Sequence, residues 1–530
     1  MLAFAVAAAL FSLLPRTDDL LGTAAGVTRE EVAAHIRFLS DDLLEGRGIG
    51  ARGGALAERY VEAMFRIFGL EPAFGDSYLQ PLALRGVDPD DGMTLELSGA
   101  GGTVALEYGE DFVAVCPFPA EEHRFESELL YLGYGIASER WGWDDYKDVD
   151  VRGRVLVMHV NEPRPDLPEL FEGRALTYFG RWTYKFREAA RRGAAGVLLI
   201  HSTADAGYDW TVVRNSWGGE AIFDPDAPDV LPLQGWIGGG AAERLFGLAG
   251  LDPEGLRAAA QERSFRPVPL GVVVRFAARN SYRDVSVNNV AGVVRGGGTG
   301  AGAIVVSAHL DHLGRGNAID GDDIYNGAID NGSAVATLLA LARVFGAHPG
   351  ALDCDVVFLA CAAEEEGLIG SSYFARHPHL PGGRIVANVN FEMTNVWGET
   401  SDLLAIGARH SDLGDLIAGL AERHGMTVSP DQAPEQGYFY RSDQFSFARA
   451  GIPAVWFDCG ETVVGRPPGW GSERRRQYRA RSYHRPSDHF DPEWELAGTR
   501  QLIRLATELL IEIDRSAESL GWKPDSPFGR

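Results

Sequence analysis

The chain reads as an α/β protein, a layered α/β/α sandwich around a mixed, mainly parallel sheet, with a β-rich domain inserted into it. Three observations predict this class. From Asn288 onward, apolar strand-like runs alternate with amphipathic helical patterns (NNVAGVV, AIVVSAHL, SAVATLLALARVF, CDVVFLACAA, SSYFARH, RIVANVNFEM), the pattern of a sheet covered by helices. Acids and histidines fall where these strands end, and ligands of such folds collect there. Between Ser127 and Phe276 the texture changes to short β-like runs such as ELLYLGYGI, GRVLVMHV, AGVLLI and GVVVRF, with one clear helix, YKFREAARRGAA.

Taken in order, the chain opens on MLAFAVAAALFSLLPR, whose apolar core from Leu2 to Leu14 is too short to span a bilayer. It suits the central region of a secretory signal, or a short membrane anchor, so residues 1–16 predict export to the periplasm or the extracellular space. Two amphipathic helices follow within residues 27–70. VTREEVAAHIRFL begins at a Thr cap, and GALAERYVEAMFRIFGL stops at Gly69, with the glycine-rich loop SDDLLEGRGIGARGG between them. The expected domains are 17–124 and 281–530, forming one catalytic body, and 125–280, the insertion. A chain of 530 residues is long enough for two compact units.

Composition narrows the function. Hydrophobic residues make up 45% and charged ones 23%, ordinary values for a globular protein. A formal net charge of −25 would repel nucleic acid and anionic lipid, so neither is an expected partner, nor is stable membrane insertion beyond the N-terminal run. Four cysteines, Cys116, Cys354, Cys361 and Cys459, form no CxxC or CxxH pattern, which argues against a thiolate metal site. One disulfide is compatible with an oxidising compartment, without indicating a pair.

The chemistry is concentrated from His309 onward. His309 and Asp311 close AIVVSA, Glu364 and Glu365 close VVFLACAA, and Glu392 closes RIVANVNF. Asp330 stands ahead of a helix that Ser333 is placed to cap. Imidazole and carboxylate without thiolate suit divalent metals of hard to borderline character. His309 and Asp311 are two apart, so on an extended backbone they share a face, and Asp311 is placed to hold the second ring nitrogen of His309. Each of these residues alone has an ordinary structural reading, and their joint occurrence is what points to a site. Asp322 and Asp323 read as a solvated face, and His312, His348, His377 and His379 as surface loop residues.

AHLDHLG, GAIDNGSA, AAEEEGLIGSSYF, NFEM and SYHRPSDHFD, in this order, resemble the signatures of the M28 family of zinc exopeptidases. The 40–72 region resembles that family's N-terminal helices. YLGYGIASERWGWDDYKDVDVRGRVLVMHV with REAARRGAAGVLLIHS resembles the protease-associated domain often inserted in it. The resemblance implies a dinuclear zinc aminopeptidase acting on peptides. It makes Asp330 the carboxylate bridging two zinc ions, with His309 and Glu392 completing one site and Glu365 and His484 the other. It makes Glu364 the general base, and Asp311 and Asp488 the residues orienting the two histidines. It also implies a cis peptide between Asp330 and Asn331.

Departures from the family pattern are Glu392, where Asp is common, Gln444, where His is frequent, and the basic insertion ETVVGRPPGWGSERRRQYRARS ahead of His484, read as a lid or specificity loop. An oxyanion-stabilising phenol is assigned to Tyr440 or Tyr438. Arg441 and the run Arg474–Arg476 are read as solvated loop. The alternatives are a carboxypeptidase or a glutaminyl cyclase of the same fold, or a receptor-like binding protein. The last is disfavoured because all five ligand types are present.

Overall fold

A computed structural model describes residues 17–529, apart from 91, 165, 207–208, 299–301 and 381–382. The N-terminal run read as a signal or anchor lies outside the described residues. The chain forms two compact units: residues 17–82, 286–432 and 441–529 in the first, and 83–285 with 433–440 in the second. The inserted segment expected at 125–280 lies within the second unit, which starts earlier, at Ala83. The reason is strand pairing: Thr94–Gly99 runs antiparallel to Val268–Ala278, so the chain ahead of residue 125 already belongs to that sheet.

The first unit is built on a mixed sheet. Its central strands, in spatial order Asp355–Cys361, Ala303–His309, Ile385–Asn390 and Ala454–Cys459, are mutually parallel. Asn280–Val294 joins one side antiparallel to Asp355–Cys361, and Asp402–Ile406 joins the other antiparallel to Ala454–Cys459. The register pairs His309 with Cys361 and Ser307 with Asn390, so the carboxyl ends of the strands finish close together. These strands are β-branched and apolar on both faces because helices cover both. Ile304, Val306 and Ala308 join a core with Leu338, Leu341, Leu502 and Leu509, contributed by the helices Ala334–Gly346 and Ala497–Arg515. On the opposite face, Phe374 of helix Ile369–Arg376 meets Phe447 of helix Gln444–Arg449, with ring centroids 6.1 Å apart. Segment Ala328–Gly346 is apolar enough to cross a membrane but is buried here as a core helix.

The two predicted N-terminal helices are Arg29–Leu39 and Arg52–Ile67. Thr28 caps the first, its hydroxyl accepting the Glu31 N–H at 3.2 Å, as its sequence position predicts. Ser333 does not cap the Ala334 helix. Its backbone is already helical and its hydroxyl donates to the Ile329 carbonyl at 2.8 Å, because irregular backbone over 328–333 takes up the role of the helix start. The basic insertion forms a helix, Trp470–Arg481, rather than a solvated loop. Arg475 turns inward and donates to Asp458 at 2.8 Å.

The second unit has its own sheet, with His123–Tyr131, Val155–His159, Gly196–Ile200 and Leu233–Ile237 parallel at its centre and antiparallel strands on both sides. Its core holds Phe112, Tyr131, Trp143 and Phe276. All four cysteines of the chain are free and buried.

Candidate metal centre

The first unit brings His309, Asp330, Glu364, Glu365, Glu392 and His484 together at the carboxyl edge of its parallel strands. Local backbone explains how. His309 is the last residue of its strand. Ala363 adopts a left-handed φ of +54°, which turns the chain off the next strand just before the two glutamates. Glu392 lies two residues beyond Asn390, the end of the third strand. Asp330 sits in the irregular turn before the Ala334 helix, and the Asp330–Asn331 peptide is cis. His484 follows the inserted helix, with φ +55° and its ring stacked on Tyr483 at 3.9 Å between centroids.

The distances define two neighbouring clusters that share one carboxylate. Asp330 Oδ1 lies 3.3 Å from His309 Nε2, and Asp330 Oδ2 lies 3.2 Å from His484 Nε2. Glu392 Oε1 is 3.1 Å from His309 Nε2, and Glu365 Oε2 is 3.3 Å from His484 Nε2. Glu364 stands further back, its Oε2 3.9 Å from His309 Nε2.

The supporting contacts differ from expectation at three residues. His309 Nδ1 is oriented by the backbone carbonyl of Asp311, at 3.1 Å, and not by its carboxylate. That carboxylate accepts the backbone N–H groups of Glu364 and Glu365, at 3.1 and 3.2 Å. The cause is that strand pairing continues one residue past His309, Leu310 N–H donating to Cys361 O, which lays Asp311 against the glutamate turn. Asp488 does not hold His484. Its own carbonyl accepts from Ala328 N–H, which docks it on the Asp330 loop, and its carboxylate accepts from the backbone N–H of Ile329 and Asp330 and from Tyr478 Oη. His312 is not a surface residue. It is buried, its N–H donates to the Arg47 carbonyl, and its Nδ1 lies 2.8 Å from Glu365 Oε1.

Sequence reasoning also missed Ser442 and the polar ladder beneath Glu392. Ser442 Oγ donates to Glu392 Oε2 at 2.6 Å and accepts from Asn390 Nδ2 at 2.9 Å. Asn390 Oδ1 in turn accepts from Ser307 Oγ at 2.7 Å. The available signal was polar residues inside apolar strands, Ser307, Asn388 and Asn390, which are stable when buried only if they bond to one another. Gln444 belongs to this buried network too, its Oε1 accepting from Asn390. Tyr440 falls in the second unit, where its ring lies 6.3 Å from that of Tyr178.

The electrostatics follow from burial of so many acids. Burial alone would raise Asp330 and Glu365, but the adjoining histidines hold both well below the usual carboxylate range. Burial would lower His484, yet the negative charges of Glu365 and Asp330 push it up to about 10. His309 is likewise pushed up, by Glu392 and Glu364 against its burial. Glu364 is raised well above its ordinary value by burial, with the charges of Glu392, Glu365 and Asp443 adding to it.

A cation fits these donors. His484 Nε2 is buried and makes no hydrogen bond, although two carboxylate oxygens lie 3.2 and 3.3 Å away. Four ligand atoms at zinc–ligand bond lengths in a tetrahedron are separated by ~3.3 Å, close to these spacings and longer than a good hydrogen bond. Donor atoms of His309, Asp330 and Glu392 lie within 4.8 Å of one another, as do those of His312, Asp330 and Glu365. Among the described residues, no such group falls in the second unit.

Residues 289–507 match the model of Peptidase family M28. Aminopeptidase YwaD of Bacillus subtilis (strain 168) is 28% identical over 193 residues, which is 36% of this chain and 36% of that relative. The aligned part thus spans about a third of the relative's length. Among solved structures, the aminopeptidase from Aneurinibacillus sp. strain AM-1 superposes with a TM-score of 0.53 at 20% identity, covering 96% of this chain and 97% of that one, a likeness of fold. The matched stretch, residues 289–507, contains every acid and histidine of the cluster.

Proposed function

We propose that this chain is a dinuclear zinc exopeptidase that releases N-terminal residues from peptides. The observation that carries the reading is Asp330, whose two oxygens each face a different histidine. His309 and Glu392 would complete one metal site, and Glu365 and His484 the other. Two zinc ions held there would act as Lewis acids on the scissile carbonyl and acidify the attacking water. Glu364 has no histidine within hydrogen-bonding distance and is free to exchange a proton. It would accept the proton of the attacking water and return it to the departing amine.

Asp311 fixes the division of labour between the two glutamates by holding both their N–H groups, so that they leave the turn in different directions. The excess of carboxylates over cations favours a protonated α-amine next to the reacting carbonyl, and the relatives named aminopeptidases support the same direction. Tyr440 is assigned as oxyanion donor on the chemistry of a phenol alone. Residues 125–280 are read as a protease-associated domain that binds or gates, and the N-terminal run is read as an export signal or anchor.

The test compares one peptide with a free N-terminus, its N-acetylated form and its C-amidated form, with products followed by mass. Acetylation abolishes cleavage and amidation does not, if the reading holds. The reverse pattern makes the protein a carboxypeptidase, and pyroglutamate formation without cleavage makes it a glutaminyl cyclase.

A further inference from the structure

Arg47 lies in the loop between the first two helices, outside the ligand set, and is almost wholly buried, 1% exposed. Its φ is +52°, and it follows Gly46 at φ +68°, where a Cβ would sit 2.4 Å from the Tyr325 carbonyl. The loop is therefore pressed against the segment between His312 and Asn326 as closely as backbone allows. From this position the guanidinium donates only to backbone carbonyls: Nε to Leu310 at 2.8 Å, Nη1 to Asn326 at 2.7 Å and to Leu39, and Nη2 to Gly327 at 2.9 Å. The carbonyl of Arg47 accepts the His312 N–H at 3.3 Å.

These contacts bracket the metal-bearing loops. Leu310 separates His309 from Asp311, and His312 supports Glu365. Asn326 and Gly327 lead into the turn that presents Asp330. One side chain thus ties the loop of His309 to the loop of Asp330, and both to the N-terminal helices. Burial lowers Arg47 to about 10, opposed by Asp330, Asp488, Asp311 and Glu365, so the group stays charged at neutral pH behind a cluster of acids. A planar fork with its donors fixed in direction can serve four carbonyls at once, and a lysine ammonium cannot.

We propose that Arg47 is a positioning residue of the metal centre, which sets zinc affinity by fixing the separation of the His309 and Asp330 loops. This rests on the dinuclear reading above. A residue that merely stabilised the fold would change melting temperature and leave the zinc affinity of the folded protein untouched.

The experiment measures zinc dissociation constants by competition with a chromophoric chelator on metal-stripped full-length protein. Circular dichroism and melting of each stripped sample report folding. Wild type should take up two zinc ions. Arg47→Lys keeps the charge but loses the fork, and should raise the dissociation constant about 10-fold, and Arg47→Met about 100-fold, the range seen when supporting groups around a metal site are removed. A folded Arg47→Lys protein that binds zinc as wild type does would overturn the proposal, whatever its melting temperature. This variant decides the matter alone if Arg47→Met fails to fold. Wild type that takes up no zinc would instead remove the dinuclear reading itself, and that is read before any variant is made.

Discussion

Glu364→Gln and Glu365→Gln, compared side by side, separate proton transfer from metal binding. Glu365 is gripped at both oxygens, Oε1 by His312 Nδ1 at 2.8 Å and Oε2 facing His484 at 3.3 Å, so its amide would present an N–H₂ where a ligand oxygen belongs. Glu364 stands 3.9 Å from His309 Nε2, beyond hydrogen-bonding distance, and the same change there removes little beyond the ability to carry a proton. Both N–H groups of the pair stay bonded to Asp311 in either variant, so the turn itself is preserved. Glu364→Gln should therefore keep two metal ions per chain and lower kcat by ~10²–10⁴, which is about 3–5 kcal/mol of lost transition-state stabilisation. KM should change little, because a group that acts on the proton in flight adds nothing to ground-state binding. Glu365→Gln should lose metal, by one ion per chain at first, and activity with it. The assay pairs elemental analysis after dialysis with turnover of an amino-acid anilide under zinc-buffered conditions. Metal loss in Glu364→Gln with recovery of turnover on adding zinc, alongside a fully loaded Glu365→Gln, would reverse the two roles and refute this reasoning.

Three further outcomes are expected. Without metal, His484 is held near a pKa of about 10, so the stability it contributes is complete below its unfolded value of about 6.5 and is lost as pH rises toward 10. Zinc binding near pH 7.5 should accordingly release at least the proton of His484, seen by titration calorimetry in buffers of different ionisation enthalpy, and a count near zero would contradict it. Ser442→Ala leaves Glu392 Oε2 without its donor in a buried site, and should lower stability by about 1–3 kcal/mol in denaturant unfolding of the metal-free protein. His159→Ala and His201→Ala, both in the second unit, should leave metal content at the wild-type value, and a deficit in either would place the site elsewhere.

Periodicity carried far in this chain because it reports burial directly. Strands that must be apolar on both faces, and helices that must be apolar on one, are visible as composition, and the ends of those strands then locate a rim. The residues that reach this rim from strand ends, His309, Glu364, Glu365 and Glu392, were visible from that pattern, Asp330 from its place ahead of a helix, and His484 entered through the resemblance alone. What the sequence by itself could not specify is which atom of each residue makes the contact. Asp311 serves His309 through its carbonyl and the glutamates through its carboxylate, and the choice depends on one extra residue of strand pairing at Leu310. The resemblance made Asp488 a partner for His484, yet it secures the Asp330 loop, because its backbone is docked there. His312 and Arg47 sit in loops of polar, glycine-rich texture that reads as exposed. Only the closure of one such loop on the other buries them, and loop closure depends on left-handed turns and backbone contacts that leave no periodic trace in the sequence. The strand pattern was decided locally and repeats along the chain, whereas the support beneath the metal centre joins residues more than 250 positions apart, such as Arg47 and Leu310, and exists only once the tertiary structure has formed.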